Sequence, residues 1–412
     1  MEKTKKKEYL VIIVLPLVML LYSIFSMPVP EIFNNLLKIF HSNDILLTDY
    51  FFIAGHETAI FNASVITLIN IFIIYKMDMK INGLIISGIY LMFGFSFIGK
   101  NLLNIIPFYL GVFLYSKYTN KTFKSTIIIT MFSTALSPFV SSTANYFNFT
   151  IFGIFIAFIV GVILGFIVPP VASHTVQFHG GYSPYNTGLA VGLIAIVFYS
   201  VIKASGISLN SNNDFVDTLN YPIIALLCGC YLFFIIYGYV KNGYSFKGYG
   251  NLIKYSGRLV SDYTVTDGFP IVMINMGILG FLCLIFIFLF FPMINGPVLA
   301  GMFTVIAFSG FGKHIKNALP VMIGATAGYY FFHSKASPPS FAITVFFSTT
   351  LSPISGKFGA LSGILGGFLI LCLVSNIGPA HGGLNLYNTG LAGGIVASIF
   401  VPLLQLFQKE NK

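Results

Sequence analysis

Tryptophan is missing from this sequence and charge is scarce: 8% of its 412 residues are charged, against roughly 25% in a soluble domain. Acidic residues are the scarcest, 12 Asp and Glu against 22 Lys and Arg. The net charge of +10 does not point to a nucleic-acid partner, because the basic residues sit in short clusters between apolar runs, where they report topology. The four cysteines (Cys228, Cys230, Cys283 and Cys372) all fall inside apolar stretches, which excludes a disulfide framework and zinc-type spacing. No Gly-rich loop with a following Lys-Ser/Thr cradles phosphates, and no HExxH occurs, so neither ATP hydrolysis nor metalloprotease chemistry is expected. The sequence calls for no catalytic residue, cofactor or metal.

What is present is hydrophobic: 56% of residues, with mean hydropathy +0.88. Apolar runs of about 20 residues recur, as at Leu10 to Met27 and Ile271 to Met293, the length a helix needs to cross about 30 Å of hydrocarbon. Backbone in lipid must bond internally, and long runs without period-two alternation exclude a barrel. The chain reads as an all-α integral membrane protein. The basic N-terminus and apolar core of MEKTKKKEYLVIIVLPLVML resemble a signal peptide, but no small-residue cleavage site follows, so a retained first helix is expected. With no tryptophan, tyrosine must form the interfacial belt.

The basic clusters set a topology. Lys3, Lys5, Lys6 and Lys7 place the N-terminus inside. Glu31, Asp44 and Asp49 lie in an outer loop, and Lys76, Lys80, Lys117, Lys121 and Lys124 lie inside. Asp214 and Asp217 are outside, and Lys241, Lys247, Lys254 and Arg258 inside. Lys409 and Lys412 put the C-terminus inside, whereas Lys335 falls outside against the rule. Some fourteen helical segments result, in a multi-pass protein of the cell membrane with both termini cytoplasmic.

The chain repeats itself. Asp49-Tyr50…Gly55…Asn62…Ile81-Asn82-Gly83 returns as Asp262-Tyr263…Gly268…Asn275…Ile294-Asn295-Gly296. FSFIGKNLLNIIP (95–107) returns as FSGFGKHIKNALP (308–320), FSTALSP (132–138) as FSTTLSP (347–353), and HGGYSPYNTGLAVG (179–192) as HGGLNLYNTGLAGG (381–394). The expected organisation is a first helix and outer loop (1–48), one repeat unit (49–203), a linker with one helix (204–261), a second unit (262–406) and a tail (407–412). Each unit holds about six helical segments, some of them re-entrant. One crossing between the units makes them inverted repeats, an arrangement typical of secondary transporters and some channels, with the solute bound near the midplane where the units meet.

The repeated polar residues are the candidate site. In HGGxxxYNTG the glycines permit a tight turn, and Asn186/Thr187 and Asn388/Thr389 suit a helix N-terminus whose free N–H groups face a polar or anionic solute. His179 and His381, with Tyr185 and Tyr387, would complete two half-sites; the competing reading is a capped helix with a tethering histidine. In FSxxGKxxxNxxP, Lys100 and Asn104 match Lys313 and Asn317. Their short flanking runs form either a re-entrant hairpin whose tip lines a cavity, favouring an anionic solute, or two thin crossings with lysines reaching to water. In FSTxLSP, Ser137 and Ser352 either bond back to their own helices or bind a coupling ion. His56 and Glu57 are replaced in the second copy by Phe269 and Pro270, which suits a one-sided H⁺ or Na⁺ site or else an interfacial pair.

The TDYF start, the GKN…P segment and the repeated HGG…YNTG resemble an uncharacterised family of bacterial polytopic membrane proteins, a resemblance that covers most of the chain past the first helix and implies no activity. YNTGLAVGLIA (185–195) is similar to the YNxxLVGLLMA segments of urea transporters, with a one-residue shift. The LPxxTxPF segment that follows in those repeats is missing after both copies. That likeness implies a related fold and leaves the substrate open.

The expected function is a transporter or channel for a small polar or anionic solute, with the bilayer as surroundings, H⁺ or Na⁺ as coupling ion if coupled, and self-association left open. The competing functions are a urea-transporter-like passive channel, a membrane-embedded enzyme acting on a lipid or phosphate-type substrate, and a scaffold.

Overall fold

The computed structural model describes residues 2–209, 214–333 and 336–410; Lys335 and Lys412, used above for topology, lie outside them. The only regular secondary structure among the described residues is helix. The first ten helices are α1 (Glu2–Ser26), α2 (Val29–Phe40), α3 (Tyr50–Ala54), α4 (His56–Lys76), α5 (Gly83–Phe95), α6 (Leu102–Tyr118), α7 (Phe123–Ser133), α8 (Ser137–Tyr146), α9 (Ile151–His179) and α10 (Asn186–Ala204). The next ten are α11 (Tyr221–Lys241), α12 (Tyr249–Leu252), α13 (Tyr263–Thr266), α14 (Phe269–Phe290), α15 (Gly296–Ala307), α16 (Ile315–Phe331), α17 (Pro338–Ser348), α18 (Ser352–Phe358), α19 (Ala360–Ile377) and α20 (Asn388–Glu410). Each helix of the first ten has its counterpart ten places later.

The equivalence reaches beyond the repeated motifs to α1 and α11. Ser23 Oγ of α1 donates to the Glu57 carbonyl of α4 at 2.7 Å. At the corresponding place Gly238 of α11 lies against the Pro270 carbonyl of α14, so close that a Cβ would come within 2.4 Å of it. Among the described residues nine helical stretches are long and apolar enough to span a membrane, and two shorter apolar ones are Gly83–Phe95 and Gly296–Gly310. The all-α membrane architecture read from composition is therefore what the chain adopts.

Helix α2 occupies part of the stretch expected to be a loop. Its Ile32, Leu36 and Ile39 are buried, while Phe33 and Leu37 are about half exposed. One apolar stripe packs inward and the flank stays open, as in a helix lying along a surface.

Equivalent helices meet each other. Gly382 lies against the Tyr199 ring, Leu391 against Gly192 and Leu189 against Gly394, so numbers rise on one helix as they fall on the other, and α10 and α20 run antiparallel. They cross at Gly188 and Gly390, where a Cβ on either would stand 2.9 Å from the other's Cα. Small residues allow this backbone approach, the usual basis of helix association in lipid. The short helices α5 and α15 are antiparallel too: Gly83 abuts Gly310, Gly94 abuts Phe303, and Gly296 abuts Phe97. Each begins under an aspartate of the other copy. Asp262 accepts from the Gly83 N–H at 3.2 Å, and Asp49 accepts from the Gly296 N–H at 2.9 Å.

Candidate functional site

The lysine motifs end the short helices α5 and α15. In each copy an asparagine of the preceding long helix holds the loop: Asn62 Nδ2 donates to the Ser96 and Lys100 carbonyls at 2.8 and 2.9 Å. Asn275 does the same to Ser309 and Lys313 at 2.9 and 2.8 Å. Asn104 and Asn317 cap the following helices, accepting from the Asn101 and His314 N–H, both at 2.9 Å, and donating back to Gly99 and Gly312. The lysines are thus presented from a braced backbone, and both are fully buried. They do not reach to water as interfacial lysines would; the tip of each hairpin lies inside the protein.

Each lysine crosses to the other copy. Lys100 Nζ donates to the Tyr387 hydroxyl at 2.9 Å and lies 5.2 Å from the Phe95 ring centre. Lys313 Nζ bonds the Tyr185 hydroxyl, donates to the Thr304 carbonyl at 3.0 Å and lies 5.0 Å from the Phe308 ring. Among the described residues no carboxylate pairs with either. Burying an ammonium without a counter-charge costs several kcal/mol, which the tyrosine and aromatic contacts offset only in part.

Between the two tyrosines lies a small chamber of about 20 Å³, room for about one water, bordered by Tyr185, Tyr387, Phe132, Phe347, Phe308 and Thr187 among others. Two of the larger cavities have lining residues in common with it or next to its own in sequence. A wide one of about 720 Å³ is bordered by Phe341, Thr344, Leu371, Val374, Ser375 and Asn388, and also by Lys203 and His381. A narrow one of about 260 Å³ is bordered by Thr126, Ile129, Pro169, Ala172, Ser173 and Asn186, and also by Lys121. Six residues of the wide cavity are the repeat counterparts of six in the narrow one. The wide cavity touches Lys203 near the end of α10 and the narrow one touches Asn186 at its start, about 25 Å apart along the helix. Phe347 borders both the wide cavity and the central chamber, and Asn186 precedes Thr187 of the chamber.

Helices α7 and α17 run from these cavities to the chamber and break there, each through a 3-10 turn (Thr134–Leu136 and Thr349–Leu351) before Ser-Pro. The hydroxyls mostly bond locally: Ser352 Oγ donates to the Thr349 carbonyl at 2.7 Å, while Ser137 Oγ reaches the Gly99 carbonyl at 2.6 Å and steadies the Lys100 loop. His56 packs on the Phe51 ring and Glu57 sits beside α1; neither borders the three compartments.

The twin histidines are buried and differ in partners. His179 Nε2 meets Asn186 Oδ1 at 3.0 Å, and its Nδ1 accepts from the Ser183 N–H at 3.3 Å. His381 Nε2 meets Asn388 Oδ1 at 2.8 Å, but its Nδ1 is without a partner. Of the three compartments, the wide cavity is bordered by His381, Asn388 and Thr389, the narrow one by Asn186 and the central chamber by Thr187, and His179 borders none of them.

Sequence reasoning missed two features. The aromatic walls of the chamber were in plain view, because Phe132 and Phe347 open the matched FSTxLSP motif, where only the hydroxyls drew attention. The other is Asp44, fully buried on the loop after α2, which accepts from Tyr50 OH and Ser141 Oγ at 2.6 Å each and from Asn104 Nδ2 at 2.9 Å. Burial pushes its carboxyl up to about 7, against those hydrogen bonds. Its counterpart is Gly257, so this acid belongs to one copy, and no pattern in the other copy marked it.

No curated protein and no solved structure matches the chain. A family model described as protein of unknown function (DUF1576) matches residues 29–204 and 241–406, stretches that take in both copies, and the chain belongs to that family.

Proposed function

We propose that this chain carries a small anionic solute across the cell membrane along the interface of its two copies, as a transporter or channel and not as an enzyme. The supporting observation is a set of three neighbouring compartments: a small chamber and two larger cavities that share six equivalent positions of the two copies, touched by Lys203, Lys121 and, through Tyr185 and Tyr387, by Lys313 and Lys100. No Asp or Glu among the described residues borders any of the three. Lysines without acids favour anions at every stage of such a path, and ionisable residues within a membrane commonly mark a solute path.

The geometry also suits inverted repeats. Five span-length helical stretches fall within α1–α10, and an odd number brings the second copy in from the opposite face. Equivalent helices α10 and α20 would then enter the midplane from opposite sides, with both termini cytoplasmic. A chamber with room for about one water favours gating over a wide pore, so each cavity would open in turn to its own side.

The experiment is anion flux in liposomes containing the full chain, made permeable to potassium and loaded with its chloride, nitrate or acetate salt. At least one anion should leave faster than from protein-free liposomes, and Lys100→Met with Lys313→Met should abolish the excess. Equal leakage with and without protein, or an unchanged rate in the double variant, would sink the reading.

A further inference from the structure

We infer that the Phe347 ring is a side-chain gate: it parts the wide cavity from the central chamber, and its rotation admits an anion from one to the other. The inference takes its direction of travel from the anion path above, while the partition itself stands on geometry. Of the described residues that border the chamber, Phe347 alone also borders the wide cavity, and none also borders the narrow one. Ser340, Ile343, Thr344 and Phe347 border the wide cavity at positions i, i+3, i+4 and i+7, so one face of α17 forms this wall. Phe347 is the last of them and the penultimate residue of α17, just before the 3-10 turn Thr349–Leu351. The wall that runs along the cavity thus ends on this ring, and the same ring borders the chamber.

The ring is held by aromatic edges, with no hydrogen bond to break. It stands 5.3 Å from the Phe95 ring and 5.9 Å from the Tyr185 ring, inclined at 68° and 82° to them. Phe95 lies 5.2 Å from Lys100 Nζ and Tyr185 bonds Lys313 Nζ, so Phe347 touches the aromatic surroundings of both buried lysines. An anion drawn from the wide cavity towards those lysines meets this ring. A helical phenylalanine has two favoured χ1 wells, so one change of rotamer shifts the ring without moving a helix. The first copy is built differently. Its Phe132 borders the chamber but not the narrow cavity, and it has no ring partner among the described residues. What joins narrow cavity and chamber is the start of α10, with Asn186 bordering the one and Thr187 the other, beside the backbone contact of Gly188 with Gly390. Passage there calls for α10 and α20 to part. The two ends of the path are gated by unlike devices, a rotating ring and a pair of crossing helices.

The test is thiol accessibility of the chamber in the purified full chain, with Cys228, Cys230, Cys283 and Cys372 replaced by Ala and Thr187→Cys added. The probe is 2-sulfonatoethyl methanethiosulfonate, a small water-soluble anion, and its rate of attachment is followed by mass spectrometry. Phe347→Ala should speed the reaction about tenfold or more, and Phe347→Leu by less, in order of side-chain size. Phe132→Ala should change it less than twofold. Thr344→Cys, in the wide cavity, should react equally fast with and without Phe347→Ala, which separates an opened gate from a loosened fold. A Thr187→Cys rate untouched by Phe347→Ala, raised equally by Phe132→Ala, or raised together with that of Thr344→Cys would overturn the inference. Should Phe347→Ala fail to fold, Phe347→Leu against Phe132→Leu makes the same comparison. A chamber opened by Phe347→Ala in a chain without anion flux keeps the gate and removes the path. Anion flux with a chamber that Phe347→Ala leaves unopened does the reverse.

Discussion

Lys100 is among the largest fully buried side chains of the chain, and its hydrogen bond runs to a tyrosine 287 positions away. Replacing Tyr387 by Phe leaves Nζ with the Met92 sulfur, 3.6 Å away, as its one remaining hydrogen-bond acceptor beside the Phe95 ring, and should lower stability by about 1–3 kcal/mol, read as a drop in thermal unfolding temperature in detergent. Lys100→Met removes the buried charge itself. It should be neutral or stabilising in the same assay while anion flux is lost, since replacing a buried charge with an apolar isostere relieves its desolvation. Asp44 gives a pH test with a definite sign. Its carboxyl is raised from 3.8 to about 7, so the folded state holds a proton that the unfolded state has released. That contribution is present below pH 4 and lost as pH rises through 7. Thermal stability should fall from pH 5 to pH 8 in the wild type, and less so in Asp44→Asn; parallel pH profiles would refute this. At this scale the sequence showed that the lysines, tyrosines, asparagines and histidines matter twice, but not that each lysine pairs with the opposite copy's tyrosine. Contacts across 287 positions are set by packing, which a motif does not encode. Asp44 read only as an acidic outer-loop residue, because its counterpart is Gly257 and no repeat marked it for burial.

Glycine decides where the helices meet. A Cβ at Gly188 would stand 2.9 Å from the Cα of Gly390, against backbone that cannot yield, so Gly188→Ala should cost about 1–3 kcal/mol. Gly229, mid-way along α11, has nothing within 4 Å of such a Cβ, and Gly229→Ala should raise stability by about 0.5–1 kcal/mol through helix propensity. Unfolding temperatures of the two variants should therefore move in opposite directions. The elements themselves were largely legible. Runs near 20 residues became long helices, the Ser-Pro steps became breaks, and the runs before the lysines became the short α5 and α15. Helix α2 was missed although Ile32, Leu36 and Ile39 carry its period, because Pro28, Pro30 and the acidic Glu31 read as a loop between spans.

Over the whole molecule, the two cavities share six equivalent positions and are unlike in size. Thr344 borders the wide one and its counterpart Ile129 the narrow one. In a background without cysteine, Thr344→Cys should react with a water-soluble thiol reagent faster than Ile129→Cys, and a transported anion should bring the two rates closer. Equal rates throughout would mean that the inequality does not describe the protein in solution. The duplication was legible because its motifs are nearly identical. Its extension to α1 and α11 was not, since apolar lipid-facing sequence drifts without losing its shape.

Asp49 and Asp262 each start a helix belonging to the other copy. A gene cut between α10 and α11 would therefore yield two fragments that each lack half of a reciprocal contact. Made together they should reassemble, and made singly each should be degraded. A shorter ancestor carrying one copy could have had this arrangement only by meeting a second molecule of itself across a two-fold axis, and fusion turned that encounter into a tether.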